Sequence, residues 1–226
     1  MAALHGRSTI GGVINIITKK STESNEGKVY LGIGRDETNK IGFQKNINFN
    51  NHNLSLNFMN IETDGYKAKV ASTKNHRYDN KNLDINYSYS YDKSIFNLNF
   101  YQSDGNTEYD SFGSNLNQDH KDSHIKLAWN KKYAESDSNL VFIQKQNKIN
   151  QNASGATDYT HTENYIFNIE KNYYDLNDTN TIIGAMYTNE ALYELSYGTK
   201  FNKSNTISEY YFQTEYFVER TLYNLG

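Results

Sequence analysis

From Gly27 onward, apolar and polar residues alternate with a period of two, segment after segment. Val29, Leu31 and Ile33 alternate with Tyr30 and Gly32, and Ile41, Phe43, Ile47 and Phe49 share a second parity broken by Lys45. Leu54, Leu56 and Phe58 make a third segment; Leu83, Ile85, Tyr87, Tyr89 and Tyr91 then alternate with Asp84, Asn86, Ser88 and Ser90. Phe96, Leu98 and Phe100 oppose Asn97 and Asn99; Ile125, Leu127 and Trp129 oppose Lys126 and Asn130; Tyr165, Phe167 and Ile169 oppose Asn164, Asn168 and Glu170. Less regular strands are predicted near 138–147, 181–188 and 207–218. Successive side chains of a strand point to opposite faces, so each segment reads as a strand with one apolar and one polar face. The repetition predicts an antiparallel meander of about ten strands over residues 28–218.

The connections carry a second signal. After a short loop at Arg35–Asn39, the link at Asn50–Asn53 is tight, 63–81 is long, Asp92–Lys93 is tight and 104–121 is long. Beyond these, 131–137 is short, 149–161 long, 171–179 moderate and 190–205 long. A secreted β-sandwich or repetitive β-fold has no reason to gather its long connections at one end. A transmembrane barrel does, with short periplasmic turns and long extracellular loops. The predicted fold class is therefore all-β, an antiparallel transmembrane β-barrel meander. Strands of about 9–11 residues suffice to cross a bilayer at a tilt. Lipid cannot accept Asp84, Asn86 and Ser88, so the Leu/Ile/Phe/Tyr parity is predicted to face out and the polar parity inward. Tyr91, Tyr101, Tyr187 and Trp129, near strand ends, are candidates for interfacial aromatic girdles. The plainer alternative, aromatics covering a soluble core, would show as apolar side chains converging on a closed interior.

Composition agrees with half-polar strands. Mean hydropathy is -0.85 and apolar runs are short, yet aromatic content is 14%, too rich for a disordered chain. No run reaches the roughly 18 apolar residues of a helical span, which says nothing against a barrel. With 23 basic and 26 acidic residues the net charge is -3, giving no basic footprint for nucleic acid. Cysteine is absent, which excludes disulfides and thiolate-held metal. The six histidines are scattered, and His120 and His124 fall on a predicted loop-to-strand transition where their spacing makes no metal face. No catalytic constellation emerges, so an enzyme is not expected. There is no secretory signal: Val13 to Ile17 is interrupted by Asn15 and too short for an apolar core. For an exported protein, that predicts a missing N-terminus.

Residues 2–20 differ from the rest. Gly11-Gly12 permits a sharp turn or close backbone approach, and Val13 to Thr18 reads as a buried strand. The glycines lack phosphate-loop spacing and no helix pattern follows, so nucleotide binding is not expected. The block resembles the end of the plug domain of TonB-dependent outer-membrane receptors, whose common pattern is A-x-Y-G-x-x-A-I-G-G-V-I-N-I-I-T. It matches at Ala3, Gly6 and the run Ile10-Gly11-Gly12-Val13-Ile14-Asn15-Ile16-Ile17-Thr18; it departs at His5, where Tyr is usual, and at Thr9, where Ala is usual. The resemblance implies a plug end at 1–20 and the N-terminal part of a barrel at 21–226, about ten of about twenty-two strands. Met1 falls inside the motif, which favours truncation over a native start.

Within that family the chain looks most similar to the vitamin B12 (cobalamin) receptor branch, through Thr63-Asp64-Gly65-Tyr66, the Tyr109-Asp110 pair and Asp119. That branch binds calcium through aspartates of its extracellular loops, which nominates Tyr109, Asp110, Asp119 and Asp79. Against this, Lys67 stands where the branch has an aspartate after Gly-Tyr, and the later aspartate cluster is thinned to Asp79. The alternative is that these aspartates only solvate loops. As function, the resemblance implies energy-coupled uptake of a scarce, large ligand across the Gram-negative outer membrane. The ligand would be cobalamin or, alternatively, a ferric siderophore or haem. A TonB-type energy-transducing complex would pull on the plug through segments this sequence does not contain. A passive porin-like channel is the further alternative.

Overall fold

The computed structural model describes residues 25–67, 74–111, 114–153, 156–174, 179–218 and 221–225. The predicted plug end, 1–20, lies outside the described residues. Eleven strands follow one another in a single sheet, and spatial order equals sequence order. They are β1 (Gly27–Ile33), β2 (Asn39–Phe49), β3 (His52–Thr63), β4 (Tyr78–Tyr91), β5 (Ser94–Ser111) and β6 (Ser114–Lys132). β7 (Ser136–Ala153), β8 (Ala156–Tyr174), β9 (Thr179–Ser196), β10 (Thr199–Val218) and β11 (Thr221–Leu225) complete the series. Every neighbouring pair is antiparallel.

The turns alternate between two ends as predicted. The links β1–β2, β3–β4, β5–β6, β7–β8 and β9–β10 lie at one end and the others at the opposite end. Tight turns use residues that tolerate positive φ: Asn50 at 51° and Asp92 at 52°. At the long-loop end, Tyr197 and Gly198 have φ of 48° and 79°, a two-residue hairpin turn whose twist suits its strands.

Three of the predicted long loops are largely strand. Residues 104–111 and 114–121 run up β5 and down β6, 149–153 and 156–161 belong to β7 and β8, and 190–196 and 199–205 to β9 and β10. The strands therefore reach 18–20 residues, well beyond the predicted crossing length. Alternation fails in these stretches because both faces are polar there, as in a hairpin that has left the bilayer and meets water on both sides. The ladder of backbone hydrogen bonds continues regardless. His120 and His124 both lie within β6.

Cross-strand register assigns the faces. One rung joins Leu54–Tyr87–Leu98–Leu127–Phe142–Phe167–Tyr187, and the next parity joins Ser55–Asn86–Asn99–Lys126. Among the described residues no hydrophobic side chain is buried, whereas Asn46, Ser103, Thr188 and Gln213 are. All four lie on the polar face. This inverts a soluble protein: polar groups crowd the inner side of a curved sheet while Val29, Leu31, Leu127 and Phe212 stand exposed on the other. Tyr101 corrects one girdle assignment. It lies on the polar face, stacked on His124 with ring centroids 5.2 Å apart.

The apolar band also runs diagonally to the rungs. The rung of Leu31 crosses β5 at Asp104, while that of Phe212 crosses it at Ser94, ten positions lower. Strands tilted to a flat bilayer produce this drift, because a level band must climb the register from strand to strand. At its lower edge, the tight-turn end, His52, Tyr89, Phe96 and Trp129 form a row with successive centroids 4.6, 6.4 and 6.3 Å apart. Such a row suits a membrane interface.

Adjacent positions should thus respond oppositely to charge. In the complete barrel folded into vesicles, Leu127→Arg is expected to lower stability by roughly 2–4 kcal/mol. Lys126→Arg, one residue away on the lumenal face, is expected to cost under about 0.5 kcal/mol. Equal costs in a denaturant titration would reverse the assignment of faces.

Candidate functional site

The lumenal face is a lattice of amides, hydroxyls and carboxylates. Asn99 donates to Asn86, which donates to Asp84, across β5 and β4. Ser103 donates to Asn80 at 2.9 Å, and Asn147 reaches Asp122 across β7 and β6. Glycines in this face let long side chains lie flat. The Tyr211 ring crosses Gly184, where an added Cβ would stand 2.2 Å from it, and its hydroxyl sits 3.0 Å from both Asn168 and Glu170 on β8. His120 covers Gly105 in the same way, 2.6 Å from where a Cβ would be. The outcome is a wall with many donors and acceptors, interrupted by the aliphatic residues Val141, Ile143, Ile166 and Ile182 on the same parity.

Above the band the predicted aspartates separate. Tyr109 lies on the lumenal face, where Gln151 of β7 donates to its hydroxyl across the intervening strand. Asp110, its neighbour, falls on the opposite parity with Asp79 and Asp119. Asp79 and Asp119 share a rung through Asn106, two strands and so about 10 Å apart. Asp110 stands four residues beyond that rung, about 13 Å along β5. Both oxygens of Asp119 are engaged, by Asn106 at 2.6 Å and Asn152 at 2.8 Å.

Asp79 and Asp119 line an open hollow of about 390 Å³ with Asp104 and with Lys81, Lys121 and Lys148. Lys121 is 3.5 Å from Asp104. Three ammonium groups offset three carboxylates there, an unfavourable setting for a cation needing 6–8 oxygens. Among the described residues no three acidic or histidine side chains are gathered closely enough to hold a metal. The four nominated residues thus do not meet at one point in this structure.

The Thr63-Asp64-Gly65-Tyr66 motif has a structural account. Gly65 has φ of 64°, and a Cβ there would stand 1.9 Å from the His76 carbonyl oxygen, so only glycine fits. The Gly65 amide donates to Thr63 Oγ1 at 3.1 Å, and the Asp64 amide donates to the Asp36 carbonyl at 3.1 Å. These bonds tie the start of the β3–β4 connection to the β1–β2 turn. Lys67 follows, exposed. Near the outer end of β8, His161 stacks on Tyr159 at 4.8 Å and contacts Asn150 Oδ1 at 2.9 Å. Burial first, then Lys148, holds its pKa below the usual histidine value.

An open antiparallel sheet with an outward apolar band and a polar inner face defines the wall of an outer-membrane β-barrel. Comparison with known proteins adds the kind of barrel. Over 119 residues the chain is 38% identical to vitamin B12 transporter BtuB of Vibrio vulnificus, covering 50% of this chain and 19% of that protein. In fold it is similar to the siderophore receptor PiuA of Acinetobacter baumannii, with a TM-score of 0.69 at 12% identity over 98% of this chain and 44% of that one. It is also similar to the outer membrane transporter YddB of Escherichia coli, with a TM-score of 0.58 at 9% identity, covering 79% and 32%. No family profile matches the chain. The chain therefore spans less than half the length of these relatives. It resembles the TonB-dependent outer-membrane receptors, transporters rather than enzymes, and an outer-membrane location goes with that resemblance.

Two outcomes follow from this geometry. Gly65→Ala is expected to displace residues 76–77, raising proteolytic cleavage within 64–77 while the barrel's unfolding midpoint stays unchanged; unaltered cleavage would contradict the backbone clash. For His161, the depressed folded pKa means the unfolded chain takes up a proton first. Its contribution to stability is present above about pH 6.5 and is lost as pH falls through the lower folded value. An NMR titration should place its midpoint below that of an exposed histidine, and Lys148→Gln should raise it.

Proposed function

We propose that this chain forms part of the barrel wall of an energy-coupled receptor that takes up a scarce, large ligand of the cobalamin type. The observation that carries this reading is the 38% identity to a vitamin B12 transporter over half the chain. A solved siderophore receptor shares the fold at an identity too low to speak for the ligand. The polar lumenal wall supports passage of a large solute carrying many hydrogen-bonding groups. The long hairpins above the band support capture at the cell surface, and no bond of the ligand is made or broken.

In this reading the ligand first meets the outer hairpins, whose lumenal faces carry Tyr109, Gln118, His120 and Gln151. It then descends a lumen lined by the asparagine ladder once a TonB-type energy-transducing complex, acting across the periplasm, has moved a plug. A ferric siderophore or haem is the second reading, left open because the match to the vitamin B12 transporter covers half of the chain. Calcium enters as an ordering ion for the outer hairpins. Asp79, Asp110 and Asp119 project from one face, and full coordination would need donors from elsewhere in the receptor.

Titration of the complete receptor with cobalamin and with ferric siderophores, each with and without calcium, tests both readings. Cobalamin binding is expected, with at most a weak calcium dependence because Lys81, Lys121 and Lys148 surround Asp79 and Asp119. Tight siderophore binding with no response to cobalamin would overturn the first reading and leave the second.

A further inference from the structure

At the tight-turn end, directly below the lipid-facing band, β6, β7 and β8 build a notch. Its upper rung is Trp129–Leu140–Ile169, the last apolar row of these three strands. The next rung down on the same face is Lys131–Ser138–Lys171, and Ser136 with Tyr173 continues it. The small residues Ser136 and Ser138 form the floor, with a lysine rising on either side. Tyr133, from the β6–β7 turn, gathers both lysines: Lys131 Nζ lies 5.4 Å and Lys171 Nζ 5.5 Å from its ring centroid. Lys171 Nζ is also 5.0 Å from the Tyr173 ring.

Two ammonium groups over one ring repel each other, and cation–π attraction offsets only part of that. Among the described residues neither lysine has a carboxylate partner. The acids of the same strand ends are turned to the other face and engaged there. Asp137 accepts from Asn172 and Tyr174, and Glu170 lies 3.0 Å from the Tyr211 hydroxyl. Glu135 stands exposed in the β6–β7 turn. The notch is thus a cluster of positive charge at the foot of the outward apolar band, the level of lipid headgroups in the barrel reading.

We propose that Lys131, Lys171 and the rings of Tyr133 and Tyr173 form a binding site for the phosphate of an anionic phospholipid in the periplasmic leaflet. The argument is one of placement and charge. The acyl chains of such a lipid would lie along Leu140, Phe142, Phe167 and Ile169, which occupy the two rungs above. That position sets its phosphate level with Lys131 and Lys171. The Ser138 floor gives the headgroup room that a long side chain on β7 would fill, and the tyrosine rings hold the lysines outward before the lipid arrives. The site rests on the barrel reading but not on the identity of the transported ligand.

The test is lipid retention by the complete receptor, purified in mild detergent and analysed by native mass spectrometry after exchange with phosphatidylglycerol or phosphatidylcholine. Retained phosphatidylglycerol is expected to exceed phosphatidylcholine, and Lys131→Gln combined with Lys171→Gln is expected to reduce its occupancy by about fivefold or more. Tyr133→Ala should reduce it partly by freeing the lysines. Lys132→Gln, the neighbour on the lumenal face opposite Asp137, should leave it unchanged. Equal retention of the two lipids, or full retention by the double variant, would overturn the proposal. Loss in the Lys132→Gln control as well would mark a general charge effect and overturn it too. Folding of each variant is checked by heat-modifiable gel mobility, a readout independent of bound lipid.

Discussion

The whole arrangement depends on one requirement: a backbone placed in hydrocarbon must find all its hydrogen bonds within the protein. Strands meet this by pairing on both sides, and here each strand from β3 to β9 is paired with both sequence neighbours over most of its length, while β10 meets β11 only over Thr214–Val218. Nothing else among the described residues performs that task, because there is no buried apolar core to hold the sheet against another layer. β1 and β11 are not paired with each other, so closure in lipid requires further strands beyond this sheet.

Once pairing carries the structure, side chains are free to serve the two solvents. Leu, Ile and Phe take the parity that meets lipid, while Asn, Ser and Asp take the parity that meets water. The inner face is then crowded enough to bury Ser103 and Gln213. Glycines gain a role in that crowd, since Gly184 and Gly105 leave the space that Tyr211 and His120 occupy. The outer hairpins extend the same ladder into water, where both parities are polar and the charges of Asp79, Lys81, Asp119 and Lys121 cost little to expose. A receptor gains from this continuity, because a ligand captured among the hairpins already lies on the wall it must travel down.

Strand identity, face assignment and the two ends were legible in the residues, since a period of two and tight-turn dipeptides such as Asp92-Lys93 are local signals. The upper halves of β5 to β10 were not legible, because alternation disappears where both faces meet water. A weaker local signal was present in Thr157, Tyr159, Thr160 and Thr162, residues that favour extended backbone. Tyr101 was misassigned to a girdle on its residue type alone, although its odd position already puts it with Asn97 and Asn99 and not with Phe96, Leu98 and Phe100.

Sequence by itself therefore determined the elements and their chemistry: which residues of the strands meet lipid and which meet water. Register and tilt belong to the tertiary structure, since they depend on which residues pair across strands far apart in sequence. They decided that Asp79 and Asp119 share a hollow with three lysines, and that Asp110 stands four residues beyond their rung. They also brought Lys131 and Lys171, forty residues apart, over a single tyrosine ring. The physical reason is that a strand's own sequence sets the alternation of its side chains, whereas only its neighbours set the height at which each one stands.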